Sequence, residues 1–301
     1  MHNIAIVGAG KVGSVLGRIL VERGERIVCV VSRTQKSAKA AGKFLRCRNV
    51  SDSLAAIPST TDHIFITTPH AAVESVAGDL ARLDHLRFRH LSVCHASGML
   101  TAQALDPLAR RGATVFSFHP LQTFPRDFKA QQIVPTARGI YYAVDGSSLA
   151  VKKAKLFARR LDGHVIEISP EMRVFYHAAC VVASNHLTAL LADLETMFER
   201  FADSKNDFIK VFKPIITATL HNVATTSPAA ALSGPVARGG VETVEQHFMS
   251  IERFAPELLP YFGTLTLETV RLAERKGSLS GERAQALKDL VHLYTRNQEP
   301  H

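Results

Sequence analysis

A short apolar run, Asn3-Ile4-Ala5-Ile6-Val7, passes directly into Gly8-Ala9-Gly10-Lys11-Val12-Gly13. A segment with helical spacing follows, with Val15, Leu16, Ile19 and Leu20 on one side. No other feature limits the fold as strongly. A continuous apolar run bounded by glycine reads as a buried parallel strand. A G-x-G-x-x-G loop between such a strand and a helix opens a βαβ unit whose helix N-terminus receives a pyrophosphate. In that loop Gly8 permits the tight turn, Gly10 lets the backbone approach the ligand, and Gly13 lets helix and strand pack closely. Ala9, Lys11 and Val12 complete the expected cofactor loop.

The alternation continues along the chain. Strands are expected at Arg26–Val31, His63–Thr67, His90–Cys94, Thr114–Phe118, Gly139–Val144 and His164–Ile168. Helices are expected at Lys36–Leu45, Ala71–Leu83, Thr101–Arg110 and Ser148–Leu161. Such a pattern implies an α/β fold with a largely parallel, doubly wound sheet. At Ser169-Pro170-Glu171 the character changes to a helix start, with a capping hydroxyl, a proline at the first position and an acid in the first turn. Only helical periodicity follows, broken at Lys205-Asn206-Asp207, Thr226-Ser227-Pro228, Ser233-Gly234-Pro235 and Lys276-Gly277-Ser278. Two domains are therefore expected, a Rossmann-like sheet over 1–168 and an all-α domain over 169–301. The tail from Arg296 is polar and expected to fray.

Composition agrees with a globular protein. The chain has 301 residues, 46% of them hydrophobic and 21% charged. No segment holds the roughly 18 uninterrupted apolar residues of a membrane span, and Met1-His2-Asn3 begins no signal peptide. Cys29, Cys47, Cys94 and Cys180 lie far apart without a CxxC, so neither a metal site nor a disulfide scaffold is expected. A reducing cytoplasm is the expected compartment. The net charge of +9 is concentrated in residues 1–50, where ten basic side chains face only Glu22 and Glu25. Such a segment can steer an anion. Nucleic acid is not an expected partner, because no aromatic platform is interleaved with these residues.

The end of the second strand selects the nucleotide. A carboxylate there would accept bonds from ribose hydroxyls and repel a 2′-phosphate. This chain has Ser32-Arg33-Thr34, with a guanidinium fork and two hydroxyls, which favours NADP(H). Thr68 and Pro69, after a later strand, are expected beside the same ligand. In open parallel sheets ligands bind beyond the carboxyl ends of the strands. His95, Ser97 and His119 stand at such ends, and Ser97 and His119 are candidate active-site residues. In the helix from Tyr176, the side chains of His177, Val181, Ser184, Asn185 and Thr188 share one face. A histidine in a pocket is a credible proton donor near neutral pH. The link Leu232-Ser233-Gly234-Pro235-Val236-Ala237-Arg238-Gly239-Gly240 leaves Arg238 able to meet an anion.

Together, Gly8-x-Gly10-x-x-Gly13, His95-x-Ser97-Gly98, Phe118-His119-Pro120-Leu121-Gln122-Thr123-Phe124, Tyr176-His177-x-Ala179, Ser184-Asn185 and Gly234-Pro235-x-x-Arg238-Gly239 resemble a known bacterial family. It comprises Rossmann-like oxidoreductases with a C-terminal DUF2520 domain, related to F420-dependent NADP reductases, pyrroline-5-carboxylate reductases and ketopantoate reductases. The helical part is similar to the C-terminal domain of 6-phosphogluconate dehydrogenases. The family's arginine-glycine pair is usually followed by aspartate, where this chain has Gly240. The helix also resembles that of ketopantoate reductases, with Asn185 and Leu187-Thr188-Ala189-Leu190 matching, the general-acid lysine falling on His177 and a second asparagine on Val181. The resemblance implies an NADP(H)-dependent oxidoreductase acting on a small carbonyl or imine, such as a 2-oxo acid, in a cleft between the domains. His177 is expected as proton donor, Asn185 as orienting residue, His119 and Ser97 as cleft residues, and Ser184 and Arg238 as substrate contacts. A homodimer is expected. The rival expectation is a non-catalytic NADP(H)-binding redox sensor.

Overall fold

The computed structural model describes residues 1–202 and 207–296. Lys205 and Asn206 of the first expected helix break, and the expected frayed tail beyond Arg296, lie outside the described residues. The chain forms two compact units, Met1–Asn185 and His186–His301.

In the first unit, β1 (Asn3–Val7), β2 (Arg26–Val31), β3 (Val50–Ser51), β4 (His63–Ile66), β5 (Ser92–His95), β6 (Thr114–Pro120), β7 (Tyr141–Gly146) and β8 (His164–Glu167) make one sheet. Their order is β3-β2-β1-β4-β5-β6-β7-β8. Every pair is parallel except β6 with β7. The strand order reverses between β1 and β4, and the crevice at their carboxyl ends is where such sheets bind ligands.

Side chains of successive strand residues point to opposite faces. β1 therefore sends Ile4 and Ile6 into one core layer and Ala5 and Val7 into the other. The first layer is closed by Leu16 and Leu20 of α1 (Lys11–Glu22), Leu45 of α2 (Gln35–Leu45) and Phe157 of α6 (Ser148–Arg160). The second is closed by Val73, Ala77 and Leu80 of α3 (Val73–Ala81) and by Leu108 of α4 (Asp106–Arg110). Between α4 and α6 lies one helical turn, α5 (Ala130–Ile133).

Three local features differ from expectation. β3 is only two residues long, too short for any periodicity, and follows α2 on the sheet edge. β6 runs through His119 and Pro120, which were expected in a loop, because antiparallel β7 pairs His119 with Ala143 and Pro120 with Tyr142. Ser169 stands at the helix start ahead of Pro170, but its hydroxyl makes no backbone cap bond and serves the Glu171 carboxylate instead.

The first unit also extends past Ser169. Its last helix, α7 (Arg173–Val181), is anchored by Arg173, which is 1% exposed. The guanidinium of Arg173 pairs with Asp145 of β7 at 3.4 Å and donates to the Ser97 carbonyl at 3.1 Å. The composition change at Ser169 thus marks the last strand, and the compact unit ends later, at Asn185. There the helix widens into one π turn, Val182–His186.

The second unit holds α8 (Leu187–Phe201), α9 (Phe208–Thr225), α10 (Pro228–Ala231), α11 (Val241–Phe254), α12 (Leu259–Lys276) and α13 (Gly281–Thr295). Its core joins Val244, Phe248 and Ile251 of α11 to Val270 and Ala273 of α12 and Leu287 and Val291 of α13. α8 and α9 contribute little to it, and Leu187, Leu190, Ile215 and Leu220 are exposed. An apolar groove of about 540 Å³ runs among these helices. The helical run Pro170–Phe201 has a mean hydropathy of 1.3 in its most apolar window, none of which is buried. By length and composition alone it could cross a membrane, although His177, Ser184, Asn185 and His186 interrupt it.

Candidate active site

The glycine loop follows β1 and ends at the first turn of α1. Gly8 has a φ of +105°, and a Cβ there would lie 2.6 Å from the Thr67 carbonyl carbon, so only glycine fits. Thr67 braces the loop from β4's end by donating to the Gly8 carbonyl at 2.6 Å. A Cβ on Gly13 would strike Gly8 and Thr67, which explains the close fit of helix to strand. Gly10 is different, because a Cβ there would meet nothing within 4 Å. It opens onto a cavity of about 480 Å³. Gly10 is also the N-cap residue of α1 and supplies no capping side chain. The first amides of the helix thus keep no intrahelical partner and favour an anion.

Gly8, Ala9, Gly10, Ser32, Arg33, Thr34, Thr68 and Pro69 line this cavity. Lys11, Val12 and Gly13 form the helical turn behind it and are not part of its wall. Arg33 is exposed and makes no ion pair with a described residue. Thr34 lines the cavity and also serves the backbone. It is the N-cap of α2, where its hydroxyl accepts from the Ser37 amide at 3.2 Å and donates to the Ser37 hydroxyl at 2.9 Å. Its hydroxyl proton is directed to Ser37, while Ser32 and Arg33 also line the cavity. Asp52, Leu54 and Val76 are also among the wall residues. The residues after the two-residue strand β3 gave no signal in the sequence.

A second cavity of the first unit, about 670 Å³, is lined by His119 and the following loop Leu121–Pro125, and by His177, Cys180, Val181, Ala183, Ser184 and Asn185. β6 delivers His119 and α7 delivers His177, with ring centres 6.2 Å apart. Both rings press on Gly98, where a Cβ would lie 2.5 Å from His177 Cδ2 and 2.9 Å from His119 Nε2. Burial, followed by the charges of Arg173, His177 and His95, holds the His119 imidazole down to about 3, so the ring is neutral at physiological pH. Its Nδ1 lies 2.8 Å from the hydroxyl of Tyr176. The π turn brings Ser184 and Asn185 to the same wall, and Ser184 Oγ is 2.8 Å from the Cys180 carbonyl and 2.9 Å from Asn185 Oδ1. Gln122 braces the loop by donating to the Thr136 carbonyl at 2.6 Å and accepting from the Thr123 amide at 2.7 Å.

Ser97 does not join this cavity. Its hydroxyl accepts from the amides of Met99 and Leu100 at 3.3 and 3.2 Å, which makes it a turn residue. His95 is a satisfied core histidine. Its Nδ1 accepts from the Ser97 amide and its Nε2 meets the Thr101 carbonyl at 2.9 Å. Burial lowers its pKa to about 4. Beneath this turn, Asp145 accepts from the Ala102 amide at 2.6 Å and from the Ser117 hydroxyl at 2.5 Å. A buried charge needs such partners.

Arg238 lies in the second unit, exposed, on the short turn Val236–Arg238. Gly240, where the family usually has aspartate, is the N-cap of α11. A side chain there would make only ordinary contacts. An aspartate at that place would be able to cap the helix. Among the described residues, no group of three His, Cys, Asp or Glu side chains is placed to hold a metal.

Residues 3–88 match the family model described as NADP oxidoreductase coenzyme F420-dependent. Residues 140–269 match the domain of unknown function DUF2520. No curated protein matches the chain. Among solved structures, a Bacteroides fragilis protein described as an NADP oxidoreductase is 20% identical, with a TM-score of 0.68 over 89% of this chain and 97% of that one. Prephenate dehydrogenase from A. aeolicus, in complex with hydroxyphenyl propionate and NAD+, is 15% identical, with a TM-score of 0.54 over 99% of both chains. A reductive aminase from Aspergillus terreus, in complex with NADPH and ethyl-5-oxohexanoate, is 15% identical, with a TM-score of 0.57 over 99% of this chain and 94% of that one. These likenesses establish a shared fold. By the two model matches, the first segment of the chain is similar to the NADP oxidoreductase, coenzyme F420-dependent family and a later one to DUF2520.

Proposed function

We propose that this chain is an NADP(H)-dependent oxidoreductase that reduces a small carbonyl or imine compound, with 2-oxo acids the first class to test. The observation that carries it is the pairing, within one unit, of the cavity at Gly10 with the cavity holding His119 and His177. The first cavity suits a dinucleotide. A Cβ at Gly10 would project into open space, the α1 amides lack partners, and Leu54 and Val76 offer apolar surface to a flat base. Arg33 and Ser32 would hold the 2′-phosphate, and the α1 N-terminus the pyrophosphate. When bound, NADPH supplies the hydride.

The remaining work falls to this chain's own side chains. His177 would give a proton to the developing oxyanion or amine nitrogen, and Asn185 would orient the substrate. Ser184, tied to Asn185, would steady that amide. The exposed apolar side chains of α8 and α9 support a homodimer that covers them, and light scattering on the purified chain checks this.

The deciding assay follows NADPH oxidation with a panel of 2-oxo acids and cyclic imines. Turnover with at least one member, lost in His177→Ala, is expected. Tight NADPH binding with no turnover on any member would overturn the enzyme and favour a redox sensor.

A further inference from the structure

Tyr176 precedes His177 on α7, and its phenol meets His119 edge-on, the rings 5.7 Å apart at 82°. The hydroxyl is 2.8 Å from His119 Nδ1. Along the same helix, Arg173 sits one turn earlier with its guanidinium 5.6 Å from the phenol ring, and the Cys180 thiol lies one turn later beside the hydroxyl. A phenol has one proton to donate. An imidazole nitrogen accepts it far better than a thiol sulfur, which is a weak acceptor and weak donor. Burial, followed by the Cys180 contact, raises the phenol's pKa, so the hydroxyl keeps its proton and has it to donate. On the far side of the imidazole, Nε2 lies against Gly98, and no described residue hydrogen-bonds to it.

We infer that Tyr176 is a positioning residue, which donates its hydroxyl proton to His119 Nδ1, fixes the ring as the Nε2–H tautomer and presents that N–H to the substrate's oxygen or nitrogen. The substrate clause rests on the proposed function, whereas the tautomer does not. The groups facing His119 are Arg173, Tyr176 and His177 from α7 and His95 from β5, and Cys180 faces Tyr176. Arg173 is itself compensated by Asp145. Among them the cationic Arg173 and burial disfavour a second proton on the ring. His119 then acts as a neutral donor that polarises the reacting bond, a role known for neutral imidazoles elsewhere. The transferred proton comes from His177.

The test is long-range ¹H–¹⁵N NMR on ¹⁵N-histidine-labelled chain without cofactor or substrate, with His119 assigned by its loss in His119→Gln. The expected result is a neutral His119 between pH 5.5 and 8 with Nδ1 at the unprotonated ¹⁵N position and Nε2 at the protonated one. In Tyr176→Phe the Nδ1 signal is expected to shift toward a mixture of tautomers. A wild-type ring protonated at Nδ1, or a tautomer unchanged in Tyr176→Phe, overturns the inference. Where Tyr176→Phe fails to fold, the wild-type spectrum alone decides. Because no turnover is measured, a failure here is distinct from a failure of the reductase assay.

Discussion

Gly98 and His119 touch so closely that a methyl group on Gly98 would stand 2.9 Å from Nε2 of the ring and 2.5 Å from Cδ2 of His177. Gly98 is buried in the turn after β5, and nothing in its own backbone requires glycine. The close approach of two imidazoles does. Gly98→Ala is expected to cost about 1–3 kcal/mol by overpacking and to lower kcat by displacing both rings. The affinity for NADPH should stay unchanged, because Gly98 is no part of the dinucleotide cavity. Thermal melts with steady-state kinetics read all three.

On the proposed reading, Arg33 is the residue expected to select the nucleotide. A charge-assisted hydrogen bond contributes about 1.5–3 kcal/mol, which is roughly 10- to 100-fold in affinity. Arg33→Asp is expected to weaken NADPH by at least that factor and to leave NADH equal or tighter. Titrations with both nucleotides, monitored by nicotinamide fluorescence, check the ratio. An unchanged ratio would remove Arg33 from the site.

Asp145 and Arg173 are 5% and 1% exposed and pair at 3.4 Å. Removing one member of a buried pair leaves the other uncompensated, at about 3–5 kcal/mol. Asp145→Asn is therefore expected to melt early and to loosen α7. Asp145→Asn with Arg173→Met should recover part of that loss, and a double-mutant cycle in urea measures the coupling.

Acid stability follows from three histidines. Burial lowers His63 and His95 to about 4 and His119 to about 3, from an ordinary 6.5. Above pH 6.5 these rings are neutral in both folded and unfolded chains, and stability does not depend on them. As pH falls below 6.5 the unfolded chain takes up protons first, so stability declines down to the folded values. The combined loss is on the order of several kcal/mol between pH 6.5 and 4. Urea midpoints across that range test it, and His63→Phe should flatten the slope.

Much of this fold is legible in residues. The run Ile4–Val7 with Gly8, Gly10 and Gly13 defines β1, its turn and α1, because an apolar strand and a glycine loop are both local signals. Arg33 and Pro69 reach the expected cavity for the same reason. What local pattern does not reveal is how hydroxyls and helices are spent. Ser97 and Thr34 look like ligand groups but bind their own loop amides. His119 reads as a loop residue because antiparallel pairing with Ala143 is a long-range fact. The first unit runs on to Asn185, and the Asp145–Arg173 pair that ties α7 to β7 joins residues far apart in sequence. Tyr176 stands in the Tyr176-His177-x-Ala179 motif, but its contact with His119 is visible only in the tertiary structure, and Asp52 gave no periodic or motif signal at all.

The most direct test of the dinucleotide site is calorimetric titration of the folded chain with NADPH and with NADH. Saturable heat with NADPH, at least tenfold tighter than with NADH and abolished in Gly10→Val, is the expected result. No heat with either nucleotide would contradict the assignment of the Gly10 cavity and, with it, the proposed chemistry.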